Sequence, residues 1–421
     1  MTDASANPTR RGHAVELFSG FGGLSLGLEQ AGFDVDIGVD VEPVNTATHE
    51  YLFSYGKSLT LNLMESQSKA IRKALPAGQD VDALVMGRTP DAIIGGPPCV
   101  GISSIGKRDP NDPRNKLMNS FIQHGIDLGV GHMLMEMVPT LLQPQNEALL
   151  DSIREMLFQA GYSLVDPQVL RAIDFGVPQR RERVFLLIHR NDRAAPEYPA
   201  PTHGEADDFF LHPTPRVRDA FDGLPDADDY DVLWNRDWAE TGMISPETRY
   251  GRIMACLEND AEDLSYKRPF RRDILTCSQR TVHEGKSIDR FLATAPGGNE
   301  PISRRHRLNP DGLSLTLRAG SGADHGSFTA VVPIHPKGTR VITAREAARL
   351  HSIPDWVQLS KTKIWAYRQI GNSVPPLLGR AVARSIMNAA GLAPAAPVDI
   401  VPLGDEQLLH AANSMPKRKA A

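Results

Sequence analysis

The stretch from His13 to Asp40, HAVELFSGFGGLSLGLEQAGFDVDIGVD, constrains this chain more than any other. His13 to Phe18 has the apolar character of a buried strand, SGFGG is a turn, and Leu24 to Ala31 has helical spacing. A second strand, Phe33 to Val39, ends at Asp40. Strand, glycine turn, helix, strand in that order commits the chain to an α/β layout, because few other arrangements bury both kinds of element. Gly20, Gly22 and Gly23 would let a ligand lie against the turn and the helix N-terminus, as in nucleotide-binding folds. The spacing is GxGG rather than GxGxxG, so the turn alone does not name the ligand. Asp40 falls ~20 residues past the first glycine, where an acidic residue commonly meets a ribose. It would equally suit the cap of a helix opening near Pro43. Together the two features point to an adenosine-containing ligand.

The rhythm continues through the N-terminal half. Helical patterns at Val44 to Phe53, Glu65 to Leu75, Lys116 to Leu128 and Gln145 to Gln159 separate apolar strands at Asp91 to Ile94, His132 to Glu136, Ser163 to Val169 and Val184 to His189. This alternation predicts a doubly wound, parallel or mixed sheet covered by helices on both faces, with ligands beyond the carboxyl ends of the strands. Asp40, Cys99 and Glu136 all fall at strand ends and so could face one crevice. An acidic residue closing the apolar run HMLME is costly to bury without a partner, which marks Glu136 as functional.

Cys99 sits in DAIIGGPPCVGISSIGK, Asp91 to Lys107, where a strand breaks into glycines and prolines. Gly95 and Gly96 permit backbone angles closed to other residues, while Pro97 and Pro98 stiffen the next turn. A thiol held this way keeps a set direction while a substrate comes close, as nucleophilic attack requires. From this segment alone the other reading, a small core hydrophobe, stays open.

At 421 residues the chain is long enough for two domains. No apolar run approaches the ~18 residues of a membrane span, and MTDASANPTRRG lacks the apolar core of a signal peptide, so a cytoplasmic protein is expected. The cysteines, Cys99, Cys256 and Cys277, show no CxxC pairing and indicate neither disulfides nor a zinc site; no metal is expected. The net charge of −5 does not advertise a polyanion partner. Basic clusters at Arg180 to Arg183, Lys267 to Arg272 and Arg304 to Arg307 could nevertheless bind phosphates, or could be solvated surface.

The segments ELFSGFGGLSLGLEQAGF (Glu16 to Phe33), GGPPCVGIS (Gly95 to Ser103), MEMV (Met135 to Val138), AIDFGVPQRRERVF (Ala172 to Phe185), RVITAREAARLHSIPDW (Arg340 to Trp356) and YRQIGNSVPPLLGRAV (Tyr367 to Val382) occur in the order seen in DNA cytosine-5 methyltransferases, and the chain resembles that family over residues 13–190 and 340–390. The resemblance implies an S-adenosylmethionine-dependent methyltransferase (Rossmann-like) fold of α/β class with a second, smaller, loop-rich target-recognition domain. It divides the chain into catalytic residues 13–190, a target-recognition region 191–339, a segment 340–390 returning to the catalytic domain with a helix near the start of the chain, and a flexible tail 391–421.

By the same resemblance Cys99 attacks cytosine C6, so that C5 can accept a methyl group from S-adenosylmethionine, leaving S-adenosylhomocysteine. Glu136 would hold the N3 and N4 edge of the base and protonate N3, and Arg181 and Arg183, two apart on one strand face, would lie near the base and thiol. Phe18, Gly20, Gly22, Gly23, Asp40, Asn62, Pro98, Asn372 and Val374 would form the cofactor pocket. The partner implied is double-stranded DNA with the target base swung out of the helix. A cognate restriction or defence nuclease is the functional partner expected, and the protein itself is expected to be a monomer.

The chain departs from the family pattern at Met137, where an asparagine is usual, at Val100, where a glutamine is usual, and at Asn62, near the place of an aspartate. Two readings compete within the resemblance: the tRNA-directed branch, which the long variable region disfavours, and a binder without turnover, which intact Cys99, Glu136 and Arg183 disfavour. A dinucleotide-dependent oxidoreductase would explain the glycine turn and none of the later segments.

Overall fold

The computed structural model describes residues 10–64, 68–75, 89–98, 116–204, 209–319 and 332–413. Its centre is a mixed sheet of β1 (Gly12–Leu17), β2 (Phe33–Asp40), β3 (Lys57–Thr60), β4 (Ala92–Gly95), β5 (His132–Met137), β6 (Tyr162–Leu164), β7 (Gln168–Arg171) and β9 (Glu182–Arg190). The order is β3-β2-β1-β4-β5-β9-β6, with β7 also paired to β9. The strands from β3 to β5 run parallel. β9 is antiparallel to β5, β6 and β7. The short β8 (Gln179–Arg180) lies outside this sheet and pairs with Ser314–Leu315. The strand expected over Ser163 to Val169 is two strands, because Pro167 cannot donate to a ladder and breaks it.

Period-two alternation, switched once in β2 by a bulge between Val35 and Ile37, sorts the strand residues onto two apolar layers. Ala14, Val35, Ile94 and Leu134 face one layer, with α1 (Gly23–Ala31), α2 (Pro43–Leu52) and the C-terminal helix Pro376–Ala389. Val15, Leu17, Ile37, Val39, Ile93 and Met133 face the other, with α3 (Ser68–Ala74), α4 (Lys116–Leu128) and α5 (Glu147–Gln159). Both faces are dry, so the central strands read as near-continuous apolar runs. Each fully buried Leu, Ile or Phe contributes roughly 1.5–3 kcal/mol of transfer free energy.

The returning helix crosses α1 at a point made of glycines. A Cβ on Gly27 would lie 2.8 Å from the Arg380 nitrogen and from the Pro376 oxygen, and the Gly27 Cα is 3.5 Å from where a Gly379 Cβ would stand. The close approach explains why every residue of α1 is buried. The end of the chain thereby braces the turn that starts it.

Residues 191–339 are loop-rich, with strands of two residues and short helices among those described. Their apolar side chains do not form one separate core: Val217, Ala220, Tyr250, Met254 and Leu308 join the layer under α1 and the C-terminal helix. A fully buried ion pair ties the same parts together, Arg268 Nη1 to Glu29 Oε1 at 2.5 Å and Nη2 to Oε2 at 2.6 Å. The acidic run is likewise structural. Asp226 and Asp228 hold the buried Arg340 at 3.1 and 3.0 Å, and Arg340 reaches Glu346 at 2.8 Å.

The tail expected to be flexible from 391 is pinned through much of its length. Gly404 N donates to Tyr51 O at 2.8 Å, Lys361 N to Leu409 O at 3.0 Å, and Leu409 is buried. No helix of the described residues is long and apolar enough to cross a membrane.

Candidate active site

β1 has β2 on one side and β4 on the other, so the chain leaves it in opposite senses and opens a crevice at the strand ends. Phe18 follows β1 with φ 58, in the left-handed region, a conformation that costs roughly 1–3 kcal/mol for a residue with a side chain. Ser19 N donates to Val39 O at 2.9 Å and Gly20 N to Asp40 Oδ2 at 3.0 Å, tying the turn to the end of β2. A Cβ on Gly20 would meet no atom within 4 Å, so the crevice side of the turn has room for a ligand. Gly22 at φ 102 opens α1, where a Cβ would run 2.4 Å from the Phe53 ring.

Asp40 joins the start of α2 to the glycine turn. Its Oδ1 accepts from Glu42 N at 2.8 Å and from Asn45 Nδ2 at 3.2 Å at the start of α2, while Oδ2 accepts from the turn. A carboxylate has about four acceptor positions, so one stays free for a hydroxyl. Burial pushes its pKa up, since the charged form is partly desolvated. Beside it, Val41 is 46% exposed and Glu42 is half-buried. Neither was singled out from sequence; an apolar residue left standing past the end of a buried strand is the available signal. Asn62 is exposed and accepts from Met64 N at 3.1 Å, one residue past Leu61, whose N donates to Asp40 O at 3.0 Å.

The C-terminal segment closes on this turn as expected. A Cβ on Gly23 would stand 2.6 Å from Ser373 Cβ and 3.1 Å from Val374 O. Val374 is buried there, while Asn372 ends the helix Lys363–Asn372 with its side chain exposed.

The base-facing half is built at the other side of the crevice. Arg183 Nε meets Glu136 Oε1 at 2.5 Å, with about one-seventh of each side chain exposed. Gly96, just after β4, makes room for this carboxyl: a Cβ there would lie 2.8 Å from Glu136 Oε2. Pro98 is exposed two residues on. Cys99 and Val100 lie outside the described residues.

Arg181 departs from the expectation. It is not on the face of a strand that carries Arg183, because β8 ends at Arg180 and β9 begins at Glu182. Its buried guanidinium donates to Leu317 O at 3.1 Å, Gly371 O at 3.2 Å and Ser373 O at 2.8 Å. Those donors are spent on backbone, so Arg181 is a positioning residue for the IGNSV turn. Burial drives its pKa well down, and Arg183 nearby adds to the effect. Gln179, unremarked in the sequence, donates to His351 Nδ1 at 3.0 Å, which leaves His351 Nε2 to donate to Ser373 O at 3.0 Å.

The basic clusters divide. Arg268 is consumed by Glu29, Arg271 pairs with Asp273, and Arg272 donates to Cys256 O at 2.9 Å, so Lys267 to Arg272 is mainly scaffold. Arg305 and Arg307 donate to backbone carbonyls, whereas Arg180 and Arg304 are exposed.

A doubly wound sheet with a glycine turn, an acidic strand end and a carboxyl paired to arginine across one crevice defines an enzyme of the nucleotide-cofactor class. The family model described as C-5 cytosine-specific DNA methylase matches residues 12–388. The type II methyltransferase M.XorII of Xanthomonas oryzae is 39% identical over 94% of this chain and 89% of its own length. M.AgeI of Thalassovita gelatinovora is 29% identical over 88% of this chain and 98% of its own length. A crystal structure from E. coli, described as a DNA modification methyltransferase encoded within a prophage, covers 90% of this chain and 99% of its own with TM-score 0.68 and 27% identity. The chain belongs to the C-5 cytosine-specific DNA methylases, and its reaction is that of a DNA cytosine-5 methyltransferase.

Proposed function

We propose that the Glu136 and Arg183 pair against Gly96 is the base-binding half of the site, and that Cys99, three residues after Gly96 in sequence, is the nucleophile. The sulfur adds to C6 of a cytosine turned out of the duplex while Glu136 gives a proton to N3, so that electron density reaches C5. C5 takes the methyl group of S-adenosylmethionine, which leaves as S-adenosylhomocysteine. The C5 proton then passes to water, its bonding pair re-forms C5=C6 and expels the sulfur as thiolate, and N3 returns its proton to Glu136. Arg183 holds the Glu136 carboxyl in its orientation throughout. The observation that carries this reading is the 2.5 Å pair itself, poised at the carboxyl end of β5 with the glycine beside it.

S-adenosylmethionine supplies the methyl group when bound. The residues present suit it: Phe18 and Val41 offer apolar walls, Asp40 keeps an acceptor position for a ribose hydroxyl, and the space beside Gly20 is open. Asn62, Pro98, Asn372 and Val374 lie around the same crevice in our reading. Residues 191–339 read the target sequence, and Arg180 and Arg304 are available to phosphates.

We further infer that the protein is the modification arm of a type II restriction system with a cognate nuclease, as the names of its relatives suggest. Bisulfite sequencing of DNA from cells expressing it should reveal one short methylated sequence context. Unmethylated DNA from cells with abundant folded protein would overturn the assignment.

A further inference from the structure

We propose that His49 is a positioning residue for the cofactor pocket, its ring setting the gap between the glycine turn and the strand that carries Asp40. The proposal rests on the reading of Asp40 and the turn given above.

The ring is wholly buried and touches both sides of that gap. Gly38 of β2 leaves space for it: a Cβ there would fall 2.4 Å from His49 Nε2. A Cβ on Gly22 would fall 3.0 Å from His49 Cδ2. Gly22 opens α1 and Gly38 stands two residues before Asp40, so both glycines yield room to the same imidazole. His49 is also one helical turn beyond Asn45, which donates to Asp40, and so shares its face of α2.

Hydrogen bonds hold the ring from both nitrogens. His49 Nε2 lies 3.0 Å from Ser25 Oγ, which is also hydrogen-bonded to Glu16. Nδ1 lies 2.8 Å from the Ser58 hydroxyl, so in the neutral ring one nitrogen donates and the other accepts. The hydrogen-bonded chain Ser58, His49, Ser25, Glu16 thus runs through β3, α2, α1 and β1. It links the elements around the crevice without reaching the crevice itself. Burial favours this neutral arrangement, pushing His49 down to about 3 and Glu16 up to about 8.

The test compares His49→Phe, which keeps the ring volume and loses both nitrogens, with His49→Gln, which keeps a donor and an acceptor. Calorimetry on the full chain without DNA reads S-adenosylhomocysteine affinity, and Asp40→Ala is measured in parallel. His49→Phe should weaken binding roughly tenfold and raise KM for S-adenosylmethionine, with kcat at saturation and duplex affinity changed less than about twofold. His49→Gln should recover part of the loss, which a role in bulk packing alone would not produce. If His49→Phe fails to fold, Ser25→Ala cuts the same chain and should weaken affinity in the same direction. Unchanged affinity in the folded His49 or Ser25 variants, with binding lost in Asp40→Ala, overturns the proposal. Unchanged affinity in Asp40→Ala would instead remove the pocket assignment on which it rests.

Discussion

Arg183 and Glu136 meet at 2.5 Å because β9 runs antiparallel to β5, which brings the start of one strand beside the end of the other. Were β9 parallel, the arginine would emerge at the far edge of the sheet. The antiparallel strand at the end of the parallel series is thus what completes the site.

Glu136→Gln removes the proposed proton donor but not the shape, and should lower kcat by about 10²–10⁴-fold. Arg183→Ala leaves the carboxyl without its cation and should also lower kcat. Single-turnover methylation of a short duplex measures both. A Glu136→Gln enzyme turning over at the wild-type rate would remove the carboxyl from the chemistry.

DNA carrying 5-fluorocytosine at the target should become covalently attached to Cys99 when S-adenosylmethionine is present. After attack at C6, release requires loss of the C5 substituent as a cation, which hydrogen permits and fluorine does not. Mass spectrometry should place the adduct on the GGPPCVGIS peptide and not on Cys256 or Cys277. Cys277 is buried away from substrate, and burial pushes the Cys256 thiol up to about 12, so Cys256 offers no ready thiolate.

Gly27→Leu should destabilise the fold by more than about 1–3 kcal/mol, since its Cβ would run into backbone of the C-terminal helix that cannot step aside. Denaturant unfolding reads the loss directly.

Glu16 makes stability fall on the alkaline side. Its folded pKa of about 8 lies above the ordinary value, so the folded state retains a proton that the unfolded chain releases. That contribution is full below the unfolded pKa and is lost as pH rises through the folded one. Between about pH 5 and 8, Glu16→Gln should therefore gain on the wild type by up to about 1.4 kcal/mol per pH unit. A stability difference between Glu16→Gln and wild type that stays constant from about pH 5 to 8 would contradict a protonated Glu16.

Much of the candidate site's placement at strand ends was legible because its signals are local. The glycine turn, Asp40, GGPP and the acidic end of HMLME each depend on neighbours within a few residues, and strand periodicity carries them to one edge of a sheet. Arg181 was misread because alternation was extended through a break between β8 and β9, and because its partners lie far away at Leu317, Gly371 and Ser373. The role of Gly38 is invisible in sequence for the same reason: nothing local shows that an imidazole from the next helix needs its space. Arg268 looked like surface because a cluster of cations gives no hint that one of them is to be buried against Glu29.

That buried pair bears on how new specificities can arise among relatives by recombination. Glu29 belongs to the first helix and Arg268 to residues 191–339, proposed above to read the target, yet neither side chain is exposed. A crossover that imports another enzyme's middle region without an arginine at this place strands a carboxylate in the core, a loss of about 3–5 kcal/mol. Few domains have that much stability to spare. A stable chimera should therefore carry residues 29 and 268 from the same parent, which sets where its breakpoints can fall.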